Sequence, residues 1–180
     1  MRWLACNRQR WSGTLLGVFV ADEEASSRGA KAYAATRPRI DTCVIGEPTS
    51  CTTYTAHKGS LRPLVRVHGR TAHSGMPDLG VNAILKSAAL LERVAAEHER
   101  IKTARHPLVG SPSLTVTRAS AGVADNVVPD LCELLLDRRM IPGEDENAVR
   151  GDLMHLVASA AEIAGTAIEI AEFRPTTGGA

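Results

Sequence analysis

Three acidic residues in a row, Asp22-Glu23-Glu24, directly follow an apolar run at residues 14–21. The run is rich in branched side chains and is preceded by Gly13, which predicts a buried strand. Neighbouring carboxylates at the mouth of such a strand repel each other and lose hydration, so a divalent cation is their natural partner. One carboxylate can bind the metal while the next accepts a proton from metal-bound water. A strand end that simply meets solvent is the alternative interpretation.

Another acidic residue, Glu47, follows a second predicted strand at residues 41–46. Residues 26–35, between the two strands, have the pattern of a short helix. A strand, a helix and a strand in sequence form a right-handed crossover, which brings both strand ends to one edge of a sheet. That edge is where α/β sheets build their sites. The sequence therefore predicts that Glu24 and Glu47 lie close together.

Seven short motifs, taken in order, resemble those of one family of hydrolases. They are Asp22-Glu23-Glu24, Gly46-Glu47-Pro48-Thr49, Ala56-His57-Lys58-Gly59, Gly69-Arg70-Thr71-Ala72-His73-Ser74, Asn82-Ala83-Ile84, Asp125-Asn126-Val127-Val128-Pro129 and Asp137-Arg138-Arg139-Met140-Ile141-Pro142-Gly143. The family is that of the metal-dependent amidohydrolases, which include acetylornithine deacetylase, succinyl-diaminopimelate desuccinylase, aminoacylase and carboxypeptidase G. The resemblance covers residues 13–173 and depends on the motifs being in register, since each one alone is short.

The resemblance implies a catalytic domain with two zinc (or cobalt) ions, interrupted by a smaller lid domain that forms a homodimer. By resemblance Glu23 is the general base, and Glu24 and Glu47 bind metal. The substrate is then an N-acyl amino acid or a short peptide, and the reaction is hydrolysis of its amide bond. In that reaction the base takes a proton from water and passes it to the leaving amine.

Three lid residues take roles from the same resemblance. His73 matches the histidine that reaches into the partner subunit's site, where an imidazole N–H can face a developing oxyanion. Asn126 and Arg139 match positions near the substrate's backbone and carboxylate, and the planar fork of arginine suits a carboxylate. Taken alone, the same residues also fit a loop histidine, a turn asparagine and a surface ion pair between Arg139 and Asp137.

The chain departs from the family in its metal ligands. The family uses an upstream His-x-Asp, a bridging aspartate and a histidine near the C-terminus. No histidine precedes His57, no aspartate precedes Asp22 and no histidine follows His155. Catalytic zinc has three protein ligands, most of them nitrogen or sulfur, so two carboxylates make a poor zinc site. We therefore expect a truncated chain that is inactive alone.

The pattern after residue 55 predicts a complete lid domain. Strands are expected near residues 60–69, 113–119, 131–140 and 166–171, and helices near residues 80–99 and after Pro142. The order β-α-β-β-α-β is a ferredoxin-like split unit. The expected fold class is thus a fragment of an α/β catalytic domain joined to an α+β ferredoxin-like lid and dimerisation domain. The corresponding domains are 1–55 (partial catalytic), 56–173 (lid) and 174–180 (start of a truncated return).

Apolar periodicity predicts which faces of these elements are buried. Residues of the first helix expected to face the sheet are Val81, Ile84, Leu85, Ala88, Leu91 and Ala95. Those of the second helix are Val149, Leu153, Leu156, Val157, Ala160 and Ile163. In the first strand Leu61, Val65 and Val67 alternate with Arg62, Arg66 and His68. Pro63 cannot donate to a ladder, so this strand should lie at an edge or begin after it.

Composition limits the remaining function classes. The net charge of +1 argues against a nucleic-acid partner, and no apolar run is long enough to span a membrane. Four cysteines without paired ligand spacing predict reduced thiols in a cytoplasmic protein. A non-catalytic dimerisation or ligand-binding module remains an alternative, since ferredoxin-like folds host many functions. RNA recognition is disfavoured, because residues 113–119 and 131–140 offer no aromatic side chain for base stacking.

Overall fold

The computed structural model describes residues 2–176. Its α-helices are α1 (Arg2–Cys6), α2 (Arg28–Ala35), α3 (Ala83–Ile101) and α4 (Glu146–Ala164). Its strands are β1 (Gly59–His68), β2 (Ser113–Ala121), β3 (Leu131–Met140) and β4 (Ile168–Arg174). Most of the return segment expected at 174–180 lies outside the described residues.

The four strands form one antiparallel sheet in the order β2-β3-β1-β4. Along the chain the elements run β1-α3-β2-β3-α4-β4, so the β-α-β-β-α-β prediction is confirmed. Helices α3 and α4 pack against each other, α3 over β2 and α4 over β4. Both helices cover one face of the sheet. We call residues 59–174 the sheet domain, and the sheet face turned away from the two helices the open face.

Alternation along the strands divides the sheet into an apolar face and a charged face. The core combines inward strand residues with one face of each helix. From β1 it takes Leu61, Val65 and Val67, as predicted, and from β3 it takes Cys132, Leu134, Leu136 and Met140. The open face carries Arg62 and Arg66, each in an ion pair with an acidic residue of β3. Cross-strand pairs of this kind suit a solvated sheet surface.

Pro63 lies in a central strand, which corrects the edge prediction. β1 pairs with both β3 and β4, and Pro63 stands opposite Phe173. The register with β4 shifts between Leu64 and Val65, next to the proline. A local irregularity of this type lets a strand accommodate a residue without an N–H donor.

The buried face of α3 is not the predicted one. The residues that pack against the sheet are Ala83, Ser87, Leu90, Val94 and Ile101. Of the predicted set, Val81 precedes the helix and is half-buried, and the other five residues are exposed, with 48% of Ile84 and 72% of Leu85 accessible to solvent. Both sets have helical spacing, and a shift of one residue rotates the face by about 100°. Periodicity alone therefore could not choose between two apolar faces.

Helix α4 follows its prediction except at one end. Val149, Leu153, Leu156, Val157 and Ala160 are buried as expected. Ile163 is 63% exposed, which corrects its assignment, and Ala164 takes the last inward position. Asp145 caps the start of the helix, where its carboxylate accepts the N–H of Ala148, and Gly165 caps the end in the left-handed conformation.

The strands predicted at residues 14–21 and 41–46 are not formed. The helix between them is present as α2, but the flanking segments belong to no strand and have no ladder partners in the described part of the chain. Their apolar side chains are open to solvent, and Phe19 and Val44 are 94% and 91% exposed. A strand gains its stability from neighbouring strands and from cover on its faces, and neither is present for these segments.

Candidate functional site

The loop that carries His73 is closed at its base by backbone pairing. Arg70 and Val81 exchange two N–H to carbonyl hydrogen bonds of 2.8 Å. Gly69 and Gly80 allow this approach, because an added Cβ would lie 2.1 Å from the carbonyl oxygen of Val81 or 2.8 Å from that of Arg70. The glycines that border the motif therefore have a packing role.

The His73 ring has a defined hydrogen bond. Its Nδ1 accepts the backbone N–H of Gly75 at 3.0 Å. In the neutral tautomer consistent with this bond, Nε2 carries the proton and can donate outward. The side chain is exposed at the tip of the loop. His73 thus offers a single oriented N–H to whatever lies beside this end of the sheet domain.

Asn126 lies beside His73, although the two motifs are far apart in sequence. The N–H of Ser74 donates to the carbonyl oxygen of Asn126 at 2.9 Å, and His73 forms a bridge with Val127. The N–H of Val128 donates to the carbonyl oxygen of Ala72 at 2.8 Å, which extends the same pairing. Two of the predicted lid residues are therefore brought together.

Arg139 lies at the opposite end of the sheet. It stands opposite Ser60 of β1 and Ser113 of β2, close to the junction with the N-terminal segment. The loop with Asn126 precedes Leu131, the first residue of β3. At about 3.3 Å per residue, Arg139 is about 26 Å along the strand from Leu131. One copy of the chain therefore does not combine Arg139 with His73.

Arg139 is held by a carboxylate on its own strand. Its Nε lies 2.7 Å from Oδ1 of Asp137, and its Nη2 donates to Oδ2 at 3.3 Å. Arg62 of β1 donates to the same Oδ2 at 3.0 Å. The surface pair expected between Arg139 and Asp137 is thus present, and a second arginine that sequence reasoning did not assign joins it.

The neighbouring Arg138 points to the helix side and is buried. It pairs with Glu144 and donates to the carbonyl oxygen of Arg139. Glu144 in turn accepts the N–H of Ile141 at 2.7 Å. A buried ion pair with these additional hydrogen bonds fixes the turn after β3 more than it adds stability. The backbone at Arg139 is therefore restrained from both sides of the sheet.

Glu23 and Glu24 lie on an exposed turn between residues 21 and 28. The carboxylate of Asp22 organises the turn by accepting the Ser26 hydroxyl and the N–H groups of Arg28. Hydrogen bonds from Ser26 and then from Arg28 lower the pKa of the Asp22 carboxyl below its usual value. Asp22 is therefore the structural member of the acidic triplet.

Glu47 is also exposed, in a tight turn where its carbonyl oxygen accepts the N–H of Thr49 at 2.9 Å. The sheet edge expected to bring Glu24 and Glu47 together is not formed. Residues 2–176 contain no cluster of three His, Cys, Asp or Glu side chains arranged to hold a metal ion. The carboxylates described here do not fit a catalytic zinc site by themselves.

The outer side of α3 carries a continuous apolar surface. We call the exposed residues Ile84, Leu85, Ala88, Leu91 and Ala95 the α3 stripe. The helix lies over β2, whose outer edge has no neighbouring strand in the described sheet. Association with another chain would cover both the apolar surface of the helix and the unpaired edge of the strand.

Comparison with known proteins identifies this sheet domain. Residues 55–164 match the M20 peptidase dimerisation domain. The chain belongs to this family. It is 34% identical over 165 residues to acetylornithine deacetylase of Vibrio vulnificus, and 35% identical over 162 residues to that of Salmonella heidelberg. These alignments cover 86% and 88% of the chain but 44% and 42% of the relatives, so the chain spans less than half their length.

Solved structures agree with the M20 fold of the sheet domain. A putative aminohydrolase from methicillin-resistant Staphylococcus aureus superposes with a TM-score of 0.54 and 16% identity. The match covers 67% of this chain and 31% of that protein. The family match over residues 55–164 and the acetylornithine deacetylase relatives confirm the resemblance to the amidohydrolase and peptidase family. Within residues 2–176, none of the helices combines the length and hydrophobicity that a bilayer-spanning segment needs.

Proposed function

We propose that this chain is the homodimerising lid region of a metal-dependent amidohydrolase that cleaves N-acyl amino acids or short peptides. The observation that carries the proposal is the α3 stripe beside the open edge of β2. Burial of aliphatic side chains contributes about 25 cal/mol per Å² of apolar surface. Pairing of the β2 edges of two copies would also satisfy their free backbone groups. One contact between copies then covers both features.

The positions of the predicted lid residues support a site made by two copies. His73 and Asn126 project from the end of the sheet domain that is far from the N-terminal segment, whereas Arg139 lies near that segment. In a dimer, the far end of one copy can reach the substrate region of the other. There the Nε2–H of His73 would donate to the substrate carbonyl oxygen, and Arg139 would bind a substrate carboxylate.

Glu23, Glu24 and Glu47 belong to the catalytic part of the proposal. Glu23 would act as the base toward water, and Glu24 and Glu47 would each supply one carboxylate ligand. Because the described residues do not form a complete zinc site, we assign no reaction step through a metal to this chain. The relatives named acetylornithine deacetylase favour an acyl amino acid as the substrate class.

A non-catalytic dimerisation module is the second candidate. In the chain taken alone, Glu23, Glu24 and Glu47 are exposed and lie in segments that belong to no sheet. This arrangement favours the non-catalytic module. Both candidates require the same dimer. They differ in whether Glu24 and Glu47 acquire further metal ligands.

Co-purification of two differently tagged copies tests the proposed dimer. The first tag should retain the second copy, and Leu85→Asp on the α3 stripe should abolish retention. Ile163→Asp is the matched control, because it places the same charge at an exposed apolar position of α4. Retention that survives Leu85→Asp, or is lost equally in Ile163→Asp, would contradict the assignment of the interface.

A further inference from the structure

Both tryptophans of the chain lie in one short hydrogen-bonded unit. We call residues 2–13, which include α1 and a 3₁₀ turn, the Trp-Arg unit. The indole N–H of Trp11 donates to the carbonyl oxygen of Leu4 at 3.0 Å. The side-chain amide of Asn7 donates to the carbonyl oxygen of Trp3 at 2.8 Å. These bonds fold the chain back on itself, so both indoles belong to one compact turn.

Each indole has an arginine over its ring. The guanidinium carbon of Arg8 lies 4.0 Å from the ring centre of Trp11. The guanidinium carbon of Arg10 lies 5.4 Å from the ring centre of Trp3. Arg8 also donates to the carbonyl oxygens of Trp11 and Gly13, at 2.8 and 3.1 Å, which closes the turn. A guanidinium held over an aromatic face by cation–π attraction keeps its charge, so each pair presents an apolar ring and a cation together.

The Trp-Arg unit is strongly basic in a chain that is nearly neutral. Arg2, Arg8 and Arg10 are exposed and give it three positive charges, and the first acidic residue of the sequence is Asp22. The whole chain has a net charge of only +1. Within residues 2–176, none of these three arginines takes part in an ion pair. Their charge is therefore available to an anionic partner.

The exposed indole favours a partner that has an apolar boundary as well as negative charge. Trp3 is 59% exposed. Tryptophan is favoured where one side of the ring is apolar and the other is wet, and in a bilayer that place is the headgroup level. Arginines at the same level meet the lipid phosphates. Nucleic acid also supplies phosphates, but its affinity depends mainly on how many are neutralised, and this unit has few cations.

We propose that the Trp-Arg unit binds the surface of an anionic phospholipid bilayer. Arg2 and Arg10 pair with lipid phosphates, and the indoles of Trp3 and Trp11 lie among the headgroups. Arg8, which bonds to the backbone, is the positioning residue that holds the indole of Trp11. Such attachment lies in the plane of the interface and needs no segment that crosses the bilayer. The inference is independent of the proposed function, which concerns the sheet domain and the acidic residues.

Intrinsic tryptophan fluorescence of the 180-residue chain tests the proposal, because both indoles of the chain lie in the unit. The chain is titrated with vesicles of phosphatidylcholine, with and without a minority of phosphatidylglycerol. The mixed vesicles should shift the emission to the blue. Each arginine near an anionic surface contributes about fivefold, so the three together predict about hundredfold tighter binding to the mixed vesicles. Added salt should reduce this preference, because it screens the charges.

Two variants of the unit and one matched control locate the contact. Arg10→Gln should weaken binding to the mixed vesicles about fivefold. Trp3→Ala keeps all three arginines, and it should also weaken binding while Trp11 still reports it. Arg39→Gln is the control, because it removes an exposed arginine outside the unit and should leave binding unchanged. Backbone amide spectra that superpose on that of the unmodified chain establish that each variant is folded.

Three results would overturn the proposal. The first is an emission that mixed vesicles leave unchanged, and the second is an equal loss of binding in Arg10→Gln and Arg39→Gln. The third is a single-stranded oligonucleotide that binds more tightly than the mixed vesicles at the same salt concentration, which would assign the unit to nucleic acid. None of these results bears on the dimer, because Leu85 lies in the sheet domain.

Discussion

The backbone N–H of Ser74 donates a hydrogen bond of 2.9 Å to the carbonyl oxygen of Asn126. This bond, with the bridge between His73 and Val127, joins two loops into one rigid end of the sheet domain. Arg139 is anchored at the other end of β3. The length of β3 therefore separates Arg139 from His73 and Asn126 within one copy, which is the separation that the proposed two-copy site requires.

We expect limited proteolysis to divide the chain near residue 53. The segments at 13–51 expose their apolar side chains and lack ladder partners, whereas the sheet domain has its own core. Cleavage should remove the N-terminal segment and leave a resistant core beginning near β1. Hydrogen exchange should show the same division, since protection follows buried, paired backbone. Equal protection of the Val18 and Val116 amides would contradict it.

Two neighbouring leucines of α3 test which face of the helix is buried. Leu90 is fully buried and Leu91 is 43% exposed. Leu90→Ala should lower the free energy of unfolding by about 2–5 kcal/mol, because it leaves a cavity against the sheet. Leu91→Ala should cost less than about 1 kcal/mol when measured at a dilution that keeps the chain monomeric. Chemical denaturation gives both values, and similar losses at the two positions would argue against the described orientation.

The two faces of α3 show where sequence reasoning reached its limit. The β-α-β-β-α-β order, the inward side of β1 and most of the buried face of α4 were predictable from period and turn residues. On α3, however, one apolar face packs in the core, and the other, the α3 stripe, is the proposed contact between copies. Hydrophobic spacing reports that a surface is covered, not whether the cover is the same chain or another one.

The candidate site was predictable only in part. Motif order suggested His73, Asn126 and Arg139, but the pairing of Ser74 with Asn126 depends on a register between distant loops. The contact of Arg62 with Asp137 depends likewise on the pairing of β1 with β3. The strands at 14–21 and 41–46 had the correct local pattern, but a pattern cannot supply the neighbouring strands that pairing requires.

The four cysteines should differ in reactivity toward a thiol reagent. Cys6, Cys43 and Cys51 are exposed, whereas Cys132 is buried in the core. Burial also raises the pKa of the Cys132 thiol, so less of the reactive thiolate is present near pH 8. Three thiols should therefore react quickly and the fourth only on unfolding. Rapid reaction of all four in the native protein would indicate that the sheet domain opens.

We expect no amidohydrolase turnover from the purified chain with added zinc or cobalt. Acetyl- and succinyl-amino acids are the test substrates. The reason is that no group of three possible metal ligands comes together among the described residues, and Glu24 and Glu47 lie in segments without the sheet that would join them. Glu23→Gln is the control, because it keeps the size of the side chain and removes the base. Turnover that disappears in this variant would show that the chain completes a working site.

Light scattering of the purified chain at micromolar concentration measures the self-association on which the account depends. The α3 stripe and the free edge of β2 predict twice the mass of one chain. Leu85→Asp should give the mass of a single chain, while Ile163→Asp should leave the dimer intact. A single-chain mass for the unmodified protein across the micromolar range would contradict the dimer and, with it, a site shared between copies.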